Sequence, residues 1–205
     1  MSFISSTIEF VMEILETIVF IGTLFIVVYL YILQPNQVKG QSMEPSYYSS
    51  DYIFTSKITY KLWPPKRGDV IVFISPKNDD QEYIKRIIGL PGDQILIQNS
   101  QVFVNDKLLE ETYISAATET FDYGFAHEGQ IITVPQDNFF VMGDNRPRSS
   151  DSREFGPIPI SSVIGMVFYR YLPANKMGFI KNPWPEKLSS LNIFIPKQRR
   201  FFWFF

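Results

Sequence analysis

The chain contains no cysteine and a single histidine, His127. The first absence removes disulfides, thiolate metal sites and cysteine nucleophiles together. It suits either side of a membrane and leaves the compartment open. The second leaves a Ser-His-Asp hydrolase one candidate base and excludes a histidine-rich metal centre. We therefore expect no metal and no cofactor. His127 sits in FDYGFAHEGQ, a polar, glycine-containing stretch that reads as an exposed loop. Any hydrolytic chemistry has to take its base from another residue type. Excess charge is missing too: a net charge of −2 offers nucleic acid no global attraction, and none is expected as a partner.

Charge is absent altogether between Glu16 and Lys39. The apolar part, TIVFIGTLFIVVYLYIL, runs from Thr17 to Leu33 and as a helix would be about 26 Å long. The upstream FVMEILE extends it towards the ~30 Å of a hydrocarbon core. A cleaved signal peptide would want a basic N-terminus, whereas this one carries Glu9, Glu13 and Glu16, and no small-residue cleavage site follows promptly. The segment reads as an uncleaved single-span anchor, with lipid as a partner. The expected division is a short tail at 1–16, a transmembrane helix at 17–34 and a folded domain at 35–205. Lys39, Lys57 and Lys61 all follow the span, which taken literally would keep the domain cytoplasmic. The rule weakens before a long folded domain, so charge leaves orientation open.

Beyond the anchor no long 3.6-residue period occurs. Short runs rich in Ile, Val, Phe and Tyr recur between Gly, Pro, Asn and Asp: YIFTSKITY, DVIVFIS, EYIKRIIGL, QILIQNSQVFVNDKLL, QIITV, NFFVMG and SVIGMVFYRYL. The fold class is mainly β, short strands and turns behind one helix, with a hairpin turning at Asn99 and Ser100. The terminal PKQRRFFWFF is either a packed edge or an interfacial anchor, with aromatics at the acyl boundary and Arg199 and Arg200 on phosphates.

Four stretches could carry chemistry: GQSMEPS (from Gly40), RGDVIVF (from Arg67), YIKRIIGLPGD (from Tyr83) and MGDNRPRSSDSREFGPI (from Met142). Ser-Met-x-Pro alone is a common turn. In YIKRII, strand alternation turns Ile84 and Arg86 one way and Lys85 the other, with Tyr83 and Ile87. A lysine on an apolar face has its pKa depressed by desolvation, and its neutral amine can activate a serine. The same lysine at a sheet edge deters unwanted pairing, and the segment alone leaves both roles open. The fourth stretch crowds charged and hydroxyl side chains from Asp144 to Arg153 between apolar flanks. Near a core, such groups have to satisfy one another through hydrogen bonds and ion pairs.

Anchor, SMEP, GDVIVF, KRIIGLPGD and GDNRPRSSDSREFG, in that order, resemble the type I signal peptidases, membrane-bound Ser-Lys endopeptidases of peptidase family S26. The resemblance covers most of the chain. It implies Ser42 as nucleophile and Lys85 as general base, with Ser149 orienting the lysine amine. Asp144, Asp151 and Arg153 would form an ion-pair scaffold with Arg86 nearby. Gly40 stands where some members carry a serine that helps bind the oxyanion, which leaves the Ser42 N–H as the main donor; Ser46 replaces a usual threonine. Arg148 has no assigned role. The implied substrates are preprotein signal peptides ending in small residues, added to a strand edge near EYIKR, with Val38, Met43 and Ile84 as shallow apolar pockets. The resemblance also implies a catalytic domain on the trans face of a membrane, a bacterial plasma membrane foremost; a monomer is expected. Three alternatives differ in what they require. A Ser-Lys autoprotease of the SOS-repressor kind would begin with a DNA-binding helix-turn-helix, and here a membrane span stands instead. A non-enzymatic membrane-anchored β-domain that binds other proteins would lack Ser42, Lys85 or the Asp/Arg cluster. An organellar or pilin-processing peptidase would share the dyad.

Overall fold

The computed structural model describes residues 2–184. The aromatic tail, residues 196–205, lies outside them. The apolar run forms helix α1, Ser2–Tyr31. It starts well before residue 17, because Phe10 to Leu15 continue the same apolar helix, and Ser6–Tyr31 is long and apolar enough to cross a membrane. None of that stretch is buried by the rest of the protein. Thr17 and Thr23 return their hydroxyls to the carbonyls of Glu13 and Val19, both at 2.8 Å, so neither needs water. The helix ends before residue 34. Leu33 opens β1, Leu33–Gln37, which pairs antiparallel with β2, Tyr52–Ser56. Lys57 caps the helix C-terminus: its Nζ donates to the carbonyls of Tyr29 (3.2 Å) and Leu30 (3.4 Å).

A short helical turn α2, Thr59–Leu62, leads to β3, Val70–Ser75, and β4, Asn78–Gly89. Then follow β5, Gln94–Gln98; β6, Gln101–Val104; β7, Lys107–Leu108; β8, Ile131–Thr133; and β9, Asn138–Met142. The helical turn α3, Ser152–Phe155, precedes β10, Ile158–Pro159; β11, Val163–Leu172; and β12, Gly178–Phe179. The larger sheet has the order β1-β2-β11-β3-β4-β9-β10, with β12 on β11; the smaller has the order β7-β6-β5-β8. The hairpin of β5 and β6 turns at Asn99 and Ser100, both at positive φ (52° and 61°), which matches the twist of the strands it joins.

Strand β3 is the hinge of the core. Val70 and Val72 pack on one face with Val38, Met43, Tyr47 and Ile53, while Ile71 and Phe73 pack on the other with Ile87, Phe139 and Val141. A strand buried on both faces reads as a continuous apolar run, which VIVF is. Strand β4 alternates in register with it: Ile84 joins the first cluster, Tyr83 and Ile87 the second. A third cluster, around Ile88, Ile95, Ile97 and Phe140, closes the smaller sheet against the larger.

Candidate active site

Ser42 stands on the turn that follows β1. Met43 and Tyr47 are driven into the core at 1% and 2% exposure, and the Tyr47 N–H bonds to the Met43 carbonyl at 2.8 Å. Pinned by those two, the turn leaves Ser42 half-buried, and its N–H has no acceptor among the described residues. Across from it is Lys85. On one side β4 is paired with β3 over most of its length; on the other, β9 begins pairing only at Arg86. Lys85 is thus the last residue before an open strand edge. Its Nζ donates to Ser42 Oγ at 2.8 Å and to the Ile84 carbonyl at 3.1 Å, and lies 5.2 Å from the centre of the Tyr83 ring. Only 4% of Lys85 is exposed and no carboxylate among the described residues pairs with it. Burial lowers its pKa from 10.5 to about 8, against the upward pull of the more distant Asp151 and Asp144 and with a small downward push from Arg153.

The neighbouring residue has the reverse arrangement. Arg86 is forked onto Asp144, Nε to Oδ1 at 2.8 Å and Nη2 to Oδ2 at 2.5 Å, and donates to the Gly68 carbonyl at 2.9 Å. Arg153 forks onto Asp151 through Nε and Nη2, both at 2.9 Å, and also ties the carbonyls of Glu119 and Arg146. Burial would raise the Asp151 carboxyl; the charge and hydrogen bonds of Arg153 and the hydrogen bond from the Gly143 N–H outweigh it and hold the carboxyl below its ordinary range. The Asp151 side chain also caps α3.

This scaffold grips the nucleophile directly. The Asn145 N–H bonds to the Ser42 carbonyl at 3.0 Å, and Asn145 Nδ2 bonds to the Gln41 carbonyl at 3.0 Å. Gly143 comes so close that a Cβ there would overlap the Ser42 carbonyl oxygen and Ser149 Oγ. Ser149 Oγ is buried without a hydrogen bond to Lys85 or to any other group among the described residues.

A groove of about 790 Å³ runs along β1 and the open edge of β4 to Ser42 and Lys85. Val38, Ile84, Ile53 and Val72 line it. Met43, expected as a pocket residue, packs in the core beneath instead, because the turn aims it inward while Ser42 points out. His127 is exposed in a loop, as expected.

The description "signal peptidase, peptidase S26" matches residues 11–172. The chain belongs to that family. A probable signal peptidase I-2 of Synechocystis sp. is 35% identical over 174 residues, covering 82% of this chain and 77% of the relative. Signal peptidase IB of Staphylococcus aureus is 32% identical over 192 residues, covering 83% of this chain and 96% of the relative. A crystal structure of a signal peptidase I from Enterococcus faecalis V583 is 35% identical, over 51% of this chain and 97% of that chain, with a TM-score of 0.43.

Several buried polar groups escaped the sequence reading. Arg146, fully buried, is paired with Glu111 and bonded to Thr118 and to the Gly143 carbonyl (3.0 Å). Arg67 pairs with Asp93 at 3.0 Å and donates to the Ile88 carbonyl at 2.6 Å, joining RGDVIVF to GLPGD. Both arginines stood inside stretches singled out above. What was missing was the partner, Glu111 in particular, which lies in a loop with no motif of its own.

Proposed function

We propose that this protein is a serine endopeptidase, anchored in a membrane by α1, that removes N-terminal signal peptides from exported preproteins by a Ser42–Lys85 dyad. The observation that carries the proposal is the 2.8 Å contact between Lys85 Nζ and Ser42 Oγ, made by a lysine with no carboxylate partner among the described residues. Near pH 8 a substantial share of that amine is neutral and accepts the Ser42 proton. Ser42 Oγ attacks the carbonyl carbon of the residue before the scissile bond. The oxyanion forms beside the free Ser42 N–H, with Gly40 offering no side-chain donor. Lys85 then gives its proton to the leaving amine, and water hydrolyses the acyl-enzyme. Ser149 is assigned to orient the amine, and the Arg86–Asp144 and Arg153–Asp151 pairs to hold the loop that grips Ser42.

The open edge of β4 and the narrow apolar floor at Val38 and Ile84 suit an extended peptide with small side chains before the cut, of the Ala-x-Ala kind. The catalytic domain is assigned to the trans face of a bacterial plasma membrane, in keeping with the bacterial relatives. Because the chain has no cysteine, single introduced cysteines report topology cleanly. A cysteine at exposed Tyr123 should react with an impermeant maleimide added outside intact cells; labelling only after lysis would reverse the orientation. For the activity, purified protein should shorten a preprotein at its signal-peptide junction, and Ser42→Ala should not. Equal cleavage by both would refute the proposal.

A further inference from the structure

Arg148 is the residue of the active-site loop that the mechanism leaves unused. It is exposed, no carboxylate among the described residues pairs with it, and Nη1 donates to Gln41 Oε1 at 2.5 Å. Gln41 immediately precedes Ser42, and its own backbone carbonyl is held by Asn145. Arg148 therefore lines the groove beside the nucleophile on a short tether to a neutral acceptor. A guanidinium with one donor engaged keeps the others for an incoming acceptor.

Its position along the groove gives it a side. The apolar stretch that suits small residues, Val38 and Ile84, runs from the dyad back along β1 and β4. At the far end of that stretch Glu82 is held by Asn36 Nδ2 at 2.9 Å and by Gln34. On the dyad reading, the part of the substrate before the scissile bond lies there. Arg148, bonded to Gln41, stands at the Ser42 end of the groove, away from Glu82, and on the dyad reading that is where the part of the substrate after the scissile bond begins.

Resting on the dyad reading above, we propose that Arg148 is a specificity-determining residue that contacts the first residues after the scissile bond and favours an acidic side chain there. The ion pair forms in partial solvent, so it discriminates among substrates modestly and weakens with salt.

The test is a set of three preproteins with one signal peptide and Glu, Gln or Lys at the second position after the cut, cleaved by full-length enzyme in detergent. The readout is the ratio of kcat/KM between substrates, which a general loss of activity does not change. Wild type should favour Glu over Lys by about twofold to fivefold at low ionic strength, with the ratio falling towards one in high salt. Arg148→Lys should keep the preference, Arg148→Gln should lose it and Arg148→Glu should reverse it. Equal ratios in wild type and all variants overturn the assignment and leave the dyad standing. If no substrate is cleaved in a Ser42-dependent way, both readings fall.

Discussion

Lys85 and Arg86 are neighbours on one strand, equally buried at 4% exposure, and their pKa values move in opposite directions. Arg86 meets a carboxylate in a two-pronged ion pair. Burial works against its charge, but the charge and hydrogen bonds of Asp144 prevail and its pKa is raised. Lys85 meets a hydroxyl, a carbonyl and an aromatic ring, and burial takes its pKa down to about 8. Burial alone therefore does not decide whether a cation is structural or reactive; the partner does. The strand supplies both kinds one residue apart because successive side chains leave it in opposite directions.

The sharpest way to break the comparison is to delete the reactive side. Ser42→Ala and Lys85→Ala should each reduce kcat by several orders of magnitude, and the double variant should be no worse, since the two act as one unit. Single-turnover cleavage of a preprotein measures this, with exposed His127→Ala as the control that keeps wild-type rate. Substantial turnover by either single variant would dissolve the dyad.

Deleting the paired side should show in stability. Asp144→Ala strands Arg86, and Asp151→Ala or Arg153→Ala strands its partner; each should lower the unfolding free energy by about 3–5 kcal/mol. Denaturant melts of the purified variants check this. Unchanged midpoints would mean that the pairs, though buried, do not hold the loop.

The smallest effect has the opposite sign. Between about pH 8 and 10.5 the unfolded chain holds the Lys85 proton and the folded chain does not, so this group makes stability rise with pH across that window and exacts its full penalty below it. Lys85→Met should accordingly stabilise the domain at pH 7 by a few kcal/mol, and the gain should shrink as pH climbs through the window. The wild-type kcat/KM should rise with pH and level off above about 8. A variant that melts lower than wild type, or a rate that rises only near the ordinary lysine range, would make Lys85 a structural cation like its neighbour.

Much of this was legible in the sequence because it depends on short-range rules. Alternation in YIKRII separates Lys85 from Arg86, and the Asn99–Ser100 turn follows from residue type. The crowding of charge between NFFVMG and FGPIPI announces a buried network. Other features depend on contacts distant in the chain. Nothing in the sequence near Glu111 marks it as the partner of Arg146, and nothing in SMEP tells that Met43 turns inward. The division of the strands into two sheets is likewise set by long-range pairing, which local patterns do not encode. Lys57 illustrates the same limit: it counts as a positive charge after the span, yet the fold uses it to cap α1.

Gly143 has a consequence that a mutational scan would record. Any other residue at this position would push its Cβ into the carbonyl oxygen of the nucleophile's own peptide unit. Every missense codon here should therefore be depleted under selection as thoroughly as those at Ser42, although Gly143 has no functional group of its own. Gly40 should tolerate more: a Cβ there meets open space, and only its φ of +88° resists substitution. Two glycines near one serine would thus differ in genetic constraint, one limited by a collision and the other by a torsion angle.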